Sequence, residues 1–123
     1  MLPQVLVSVV DDDESVRESL PDLLREFGFA VAAFAPAAEF LASPDMVRTR
    51  CLILDVAMPR MSGPELMREL KRRRHDIPLI FITAHGSDRE RPRLIAQGAV
   101  DCLAKPFSEA ELLRALNAAL PLL

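Results

Sequence analysis

An α/β fold, an open parallel sheet with helices on both faces, follows from three observations. Strand-like and helix-like patterns alternate along the whole chain, which implies parallel β-α-β units with right-handed crossovers. The first, third and fourth strand-like runs (VLVSVV, CLIL and LIFIT) are continuously apolar, as strands are when both sheet faces are covered. Two later helices open on Ser-x-x-Glu, the spacing of a capping box.

The elements follow in order. Residues 5–10 form a β-rich run. Val16, Leu20, Leu23, Leu24 and Phe27 then fall at helical spacing, and Gly28 supplies a stop. Pro21 lies inside this helix and removes a hydrogen bond, but the apolar spacing persists on both sides, which predicts one kinked helix and not two. Ala30–Phe34 is a weaker second strand, and residues 36–42 form a short helix with Pro36 near its first turn. The third strand is 51–54. Ser62 and Glu65, with Met61 and Leu66 as a hydrophobic staple, open a helix running to about residue 74. Leu79–Thr83 is the fourth strand. A helix follows within 88–97, beginning near Glu90 because of Pro92, and 100–104 is the fifth strand. Ser108 and Glu111, stapled by Phe107 and Leu112, open the last helix, with Leu112, Leu113, Leu116 and Leu120 on one face.

With 123 residues, half of them apolar, the chain makes one domain, 1–123, with a sizeable core and no room for a second. A net charge of −3 gives no case for direct nucleic-acid binding. The basic run at 71–74 sits at a helix end, where the dipole favours cations. No apolar stretch reaches the ~18 residues of a membrane span, and the N-terminal run lacks the basic flank of a signal peptide. Cys51 and Cys102 sit in apolar strands, as buried thiols do in a reducing compartment, so a cytoplasmic location is expected.

Open α/β sheets bind ligands beyond the carboxyl ends of their strands. There the first strand delivers Asp11, Asp12 and Asp13, the third Asp55, the fourth Thr83 and the fifth Lys105. Each has a plainer role taken singly. One of the three acids can cap the first helix, Asp55 can be a turn residue, Thr83 a strand residue and Lys105 a snorkelling surface lysine. Their joint arrival on one rim points to a site. Unit charges 4 Å apart repel by ~4 kcal/mol at an effective dielectric of 20, so the carboxylates need a cation. Hard oxygen ligands with open positions suit Mg²⁺. His85 lies nearby without a second histidine and reads as a loop residue; His75 carries no signal.

The segments VVDDDESVRESL, LILDVAMPRMSGPELMREL, IPLIFITAHG and GAVDCLAKPF resemble the receiver domain of two-component response regulators, of the FixJ type, over essentially the whole chain. The resemblance implies a flavodoxin-like (βα)5 sheet in order 2-1-3-4-5. It implies Asp55 as phosphoacceptor, Asp11 and Asp12 as the acidic pair that holds Mg²⁺ (Mn²⁺ as a substitute), and the backbone carbonyl of Ala57 as a third protein ligand. Thr83 is then the hydroxyl that meets the phosphoryl group, and Lys105 the lysine that pairs with it. The Lys105–Pro106 bond resembles one that is usually cis. The implied partner is a sensor histidine kinase, and the implied response is a shift of the fourth helix, fifth strand and last helix, acting on a DNA-binding output domain or a partner protein. A phosphorylation-dependent homodimer is a further family expectation.

One position departs from the family. Cys102 stands where many receivers carry Tyr or Phe, and a thiol cannot swing as a ring does. With a small Ala84 after Thr83, switching is expected to rely on backbone movement across 84–92. The implied strand order places the third and fifth strands about 9.6 Å apart, too far for a disulfide, so Cys51 and Cys102 should stay reduced. Two alternatives differ in class. A haloacid dehalogenase-like phosphatase would need a second Asp where Ala57 stands. A pseudo-receiver that only binds partners would typically have lost one of the site residues, and all are present. No output domain is expected in this chain.

Overall fold

The computed structural model describes residues 4–84 and 90–121. The elements run β1 (Leu6–Val10), α1 (Glu14–Glu26), β2 (Ala30–Phe34), α2 (Ala37–Ala42), β3 (Cys51–Asp55), α3 (Gly63–Arg72), β4 (Leu79–Thr83), α4 (Glu90–Ala96), β5 (Asp101–Ala104) and α5 (Glu109–Ala119). The strands form one parallel sheet in the order β2-β1-β3-β4-β5. This is the flavodoxin-like order that the sequence resemblance implied.

Alternation along the strands builds two cores, one on each face. Leu52, Leu54, Phe81 and Cys102 point to the side covered by Phe40, Leu66, Met67, Leu70 and Leu94, from α2, α3 and α4. Cys51, Ile53, Ile80 and Ile82 point to the other side, against Leu20 and Leu24 of α1 and Leu112 and Leu116 of α5. β1, β3 and β4 are buried along their full length, which is why their sequences read as unbroken apolar runs. The cysteines are free and buried, on opposite faces of the sheet and separated by β4.

The helix ends follow their local chemistry. Asp13 caps α1 by accepting from the Ser15 amide and hydroxyl at 2.9 and 2.8 Å. α1 continues past a buried Pro21 as a single helix. Both expected capping boxes form, Ser62 with Glu65 and Ser108 with Glu111. α3 stops at Arg72. Its end is closed by hydrogen bonds from the Arg74 amide to the Lys71 carbonyl and from the His75 amide to the Leu70 carbonyl. The same pair of bonds closes α1 at Gly28 and α4 at Gly98.

Some expectations are revised. Leu113 does not share the buried face of α5: it is 39 % exposed, and Ala115 and Ala119 complete the row formed by Leu112, Leu116 and Leu120. At about 100° per residue, position 113 falls at the edge of that row, beside Leu120 and about 100° from Leu112. Pro36 precedes α2 as its N-cap, and the bond before it is cis; Lys105–Pro106 is also cis, as the resemblance implied. α4 is described from Glu90, and residues 88 and 89 of its expected span lie outside the described residues. Among those residues, no helix is long and apolar enough to cross a membrane.

One polar contact crosses the core. The Ser8 and Thr49 hydroxyls are 2.7 Å apart, both buried, and Thr49 donates to the Asp45 carbonyl at 2.7 Å. It ties the turn before β3 onto β1 with every polar atom satisfied.

Candidate functional site

The sheet delivers the expected residues to one rim. Asp11 follows β1 and is fully buried; Asp55 ends β3 and Thr83 ends β4, each 6 % exposed; Asp12 is exposed. Lys105 follows β5, and its amide donates to the Thr83 carbonyl at 2.8 Å, which fixes the lysine backbone against the end of β4. Carboxylate oxygens of Asp11, Asp12 and Asp55 all lie within 4.8 Å of one another, close enough to share one cation.

Lys105 Nζ donates to Asp11 Oδ2 at 3.0 Å and lies 3.9 Å from Asp55 Oδ1. Asp11 is further held through Oδ1, which accepts from the Asp13 amide at 2.8 Å, and through its carbonyl, which accepts from Arg17 Nη1 at 2.9 Å. Burial pushes the Asp55 carboxyl up to about 7, and the negative charge of Asp11 adds to this; Lys105 pulls the other way. One ammonium faces three clustered carboxylates. The donor set is all hard oxygen and partly open to solvent, which fits a small divalent cation.

Local structure keeps Asp55 in place. Its neighbour Val56 donates to the Ile82 carbonyl at 3.0 Å and accepts from the Gly63 amide at 2.9 Å. A Cβ at Gly63 would meet the Asp55 carbonyl oxygen at 2.3 Å and the Phe81 ring at 2.8 Å, so only glycine lets α3 start this close to the strand end.

The acids, Thr83 and Lys105 fall on this rim, with Ala57 and Ala84 in the loops beside it, whereas Cys102 does not. Ala57 lies exposed in the loop after β3, and Ala84 is exposed just beyond Thr83. Cys102 is buried within β5, its thiol pushed up to about 11 by burial and by Glu90 and Asp101. His85 lies outside the described residues. Three roles escaped the sequence: the division of labour by which Asp13 caps while Asp11 turns inward, the Arg17 contact, and the close approach at Gly63. Only the last left a trace, a glycine directly after the N-cap serine.

The family model described as the response regulator receiver domain matches residues 7–117. The chain belongs to this family. The receiver is similar to the response regulator protein TodT of Pseudomonas putida, 44 % identical over 117 residues, 95 % of the chain and 52 % of TodT. It is 40 % identical over 120 residues to the transcriptional regulatory protein FixJ of Azorhizobium caulinodans, covering 97 % of the chain and 57 % of FixJ. The crystal structure of FixJ-N superposes with a TM-score of 0.86 at 39 % identity, covering 99 % of this chain and 98 % of that one. The chain thus spans about half the length of the curated relatives it matches. Receivers are signalling switches, and with Ala57 lacking any acid the phosphatase alternative has no support.

Proposed function

We propose that this receiver is a phosphorylation-controlled switch in which Asp55 accepts a phosphoryl group from a phosphohistidine on a sensor histidine kinase. The observation that carries this reading is the position of Lys105, 3.0 Å from Asp11 and 3.9 Å from Asp55, with Asp12 alongside. A buried acid next to a fixed cation and a second acid pair is a costly arrangement that makes sense when a phosphoryl group arrives.

In the transfer an Asp55 oxygen attacks phosphorus. The phosphorus–nitrogen bond breaks, and the imidazole nitrogen keeps the electron pair. Such a transfer asks for positioning and charge neutralisation more than for covalent help. Asp11, Asp12, Asp55 and the Ala57 carbonyl would hold one Mg²⁺, with Mn²⁺ as a substitute; when bound, it neutralises charge on the phosphoryl oxygens and on the carboxylates. Lys105 swings from Asp11 to a phosphoryl oxygen. The Thr83 hydroxyl, at the end of β4, donates to another. Gly63 and the β3–α3 hydrogen bonds hold the nucleophile's backbone fixed.

The added charge draws Thr83 inward and moves the segment that begins at Ala84. Cys102 has no ring to follow it, so the signal passes along the backbone after Ala84 to α4, β5 and α5; residues 85–89 of that path lie outside the described residues. The recipient is an output domain or a partner protein, consistent with transcriptional regulation by relatives such as FixJ. The cytoplasm and a homodimer formed on phosphorylation belong to the same proposal. Binding of beryllofluoride, which mimics the phosphoryl group, tests it by ¹⁹F NMR. A bound resonance that requires Mg²⁺ and vanishes in Asp55→Asn is expected; a resonance unchanged in that variant would overturn the assignment.

A further inference from the structure

A cleft opens beside Asp12 on the half of the rim built by the loops after β1, β2 and β3, whereas Lys105 serves the half built by β4 and β5. Pro36, Met58 and Pro59 are its apolar lining residues, Arg17 and Arg60 its basic ones, and Asp12 its acid. Arg17 is anchored by Nη1 on the Asp11 carbonyl at 2.9 Å. Arg60 is exposed and has no ion pair or hydrogen bond among the described residues. It also holds φ at +71°, a left-handed backbone that side-chain-bearing residues adopt at a cost. The turn at Arg60, closed by the Met61 amide donating to the Pro59 carbonyl at 2.9 Å, holds this cation beside the acidic rim.

We propose that this cleft is a subsite for the carboxylate leaving group of a small acyl phosphate donor, with Arg60 as the specificity-determining contact and Arg17 as the second cation. The inference rests on Asp55 being the phosphoacceptor. In the step, the Asp55 oxygen–phosphorus bond forms as the acyl oxygen–phosphorus bond breaks. The electron pair leaves on the carboxylate oxygen, and no proton is required. Negative charge therefore develops on the donor's acyl oxygen, where a guanidinium stabilises it by a charge-assisted hydrogen bond. A donor with a neutral amine leaving group develops no such charge and gains nothing from Arg60.

The test compares second-order phosphorylation rates with acetyl phosphate and with phosphoramidate, in saturating Mg²⁺, for the whole chain and for Arg60→Gly and Arg60→Lys. Glycine relieves the backbone, so loss of folding does not confuse the result. The ratio of the acetyl phosphate rate to the phosphoramidate rate should fall about tenfold in Arg60→Gly and recover in part in Arg60→Lys. An unchanged ratio, whether both rates fall together or neither moves, overturns the subsite. If the unaltered chain takes a phosphoryl group from neither donor, the subsite is overturned; if beryllofluoride also fails to bind, the phosphoacceptor assignment fails with it.

Discussion

Lys105 Nζ sits 3.0 Å from Asp11 Oδ2 and 3.9 Å from Asp55 Oδ1, so the lysine of the site pairs more closely with the fully buried acid than with Asp55. Removing the lysine leaves the Asp11 carboxylate buried beside Asp55 without the ammonium that it pairs with, and only Arg17, on the Asp11 carbonyl, remains as a nearby cation. Lys105→Met should destabilise the metal-free protein by about 3 kcal/mol, and by less in Mg²⁺. Urea unfolding in EDTA and in Mg²⁺ measures both; equal losses would mean the cation site is not where the acids cluster.

The Asp55 carboxyl, pushed up to about 7, gives a pH dependence of known sign. Its folded value lies above its unfolded one, so between about pH 4 and 7 the folded state binds the extra proton. Stability of the metal-free protein should therefore fall as pH rises through that window and stay low above it. Asp55→Asn removes the penalty and should be the more stable protein at pH 8 by on the order of 2 kcal/mol, with the gap closing toward pH 4. Thermal melts of the two proteins across this range in EDTA check it.

Gly63 couples the helix α3 to the end of β3 at Asp55. A methyl group there would meet the Asp55 carbonyl at 2.3 Å. Gly63→Ala should cost about 3 kcal/mol and weaken Mg²⁺ binding together, because relief of the clash displaces β3 or α3. A Tm loss with unchanged metal affinity would show that the strand end does not move.

Arg74 holds φ at +62° where Gly28 and Gly98 fill the equivalent place after α1 and α4. Arg74→Gly should stabilise the chain by about 1 kcal/mol in urea titration. Gly98→Ala should destabilise it, since its φ is +116° and the new methyl would press on Lys71 Nζ at 2.8 Å.

Burial pushes the Cys51 thiol up to about 12 and the Cys102 thiol up to about 11. Both should react slowly with a thiol reagent in the native protein, and both should titrate in denaturant without reductant.

The fold was legible because its strong signals are local. Apolar runs marked β1, β3 and β4, and Ser-x-x-Glu spacing marked the starts of α3 and α5. The helical spacing around Pro21 likewise survived the proline. Leu113 misled because hydrophobicity does not report which way a side chain faces; two alanines took its place in the core. The site was legible as a set of residues at strand ends, but not as a set of contacts. Nothing in the order of Asp11, Asp12 and Asp13 says which one turns inward, which one faces solvent and which one caps. Nor does spacing reveal that Lys105, distant in sequence, reaches Asp11 ahead of Asp55. The left-handed backbone at Arg60 and Arg74 was equally silent, because arginine gives no hint of positive φ.

The most direct test of the central claim is the intact mass of the chain after incubation with acetyl phosphate, with and without Mg²⁺, beside Asp55→Asn. The account predicts one added phosphoryl group that depends on Mg²⁺ and is absent from the variant. An adduct of the same size on Asp55→Asn, or no adduct on the unaltered chain when beryllofluoride also fails to bind, would contradict it.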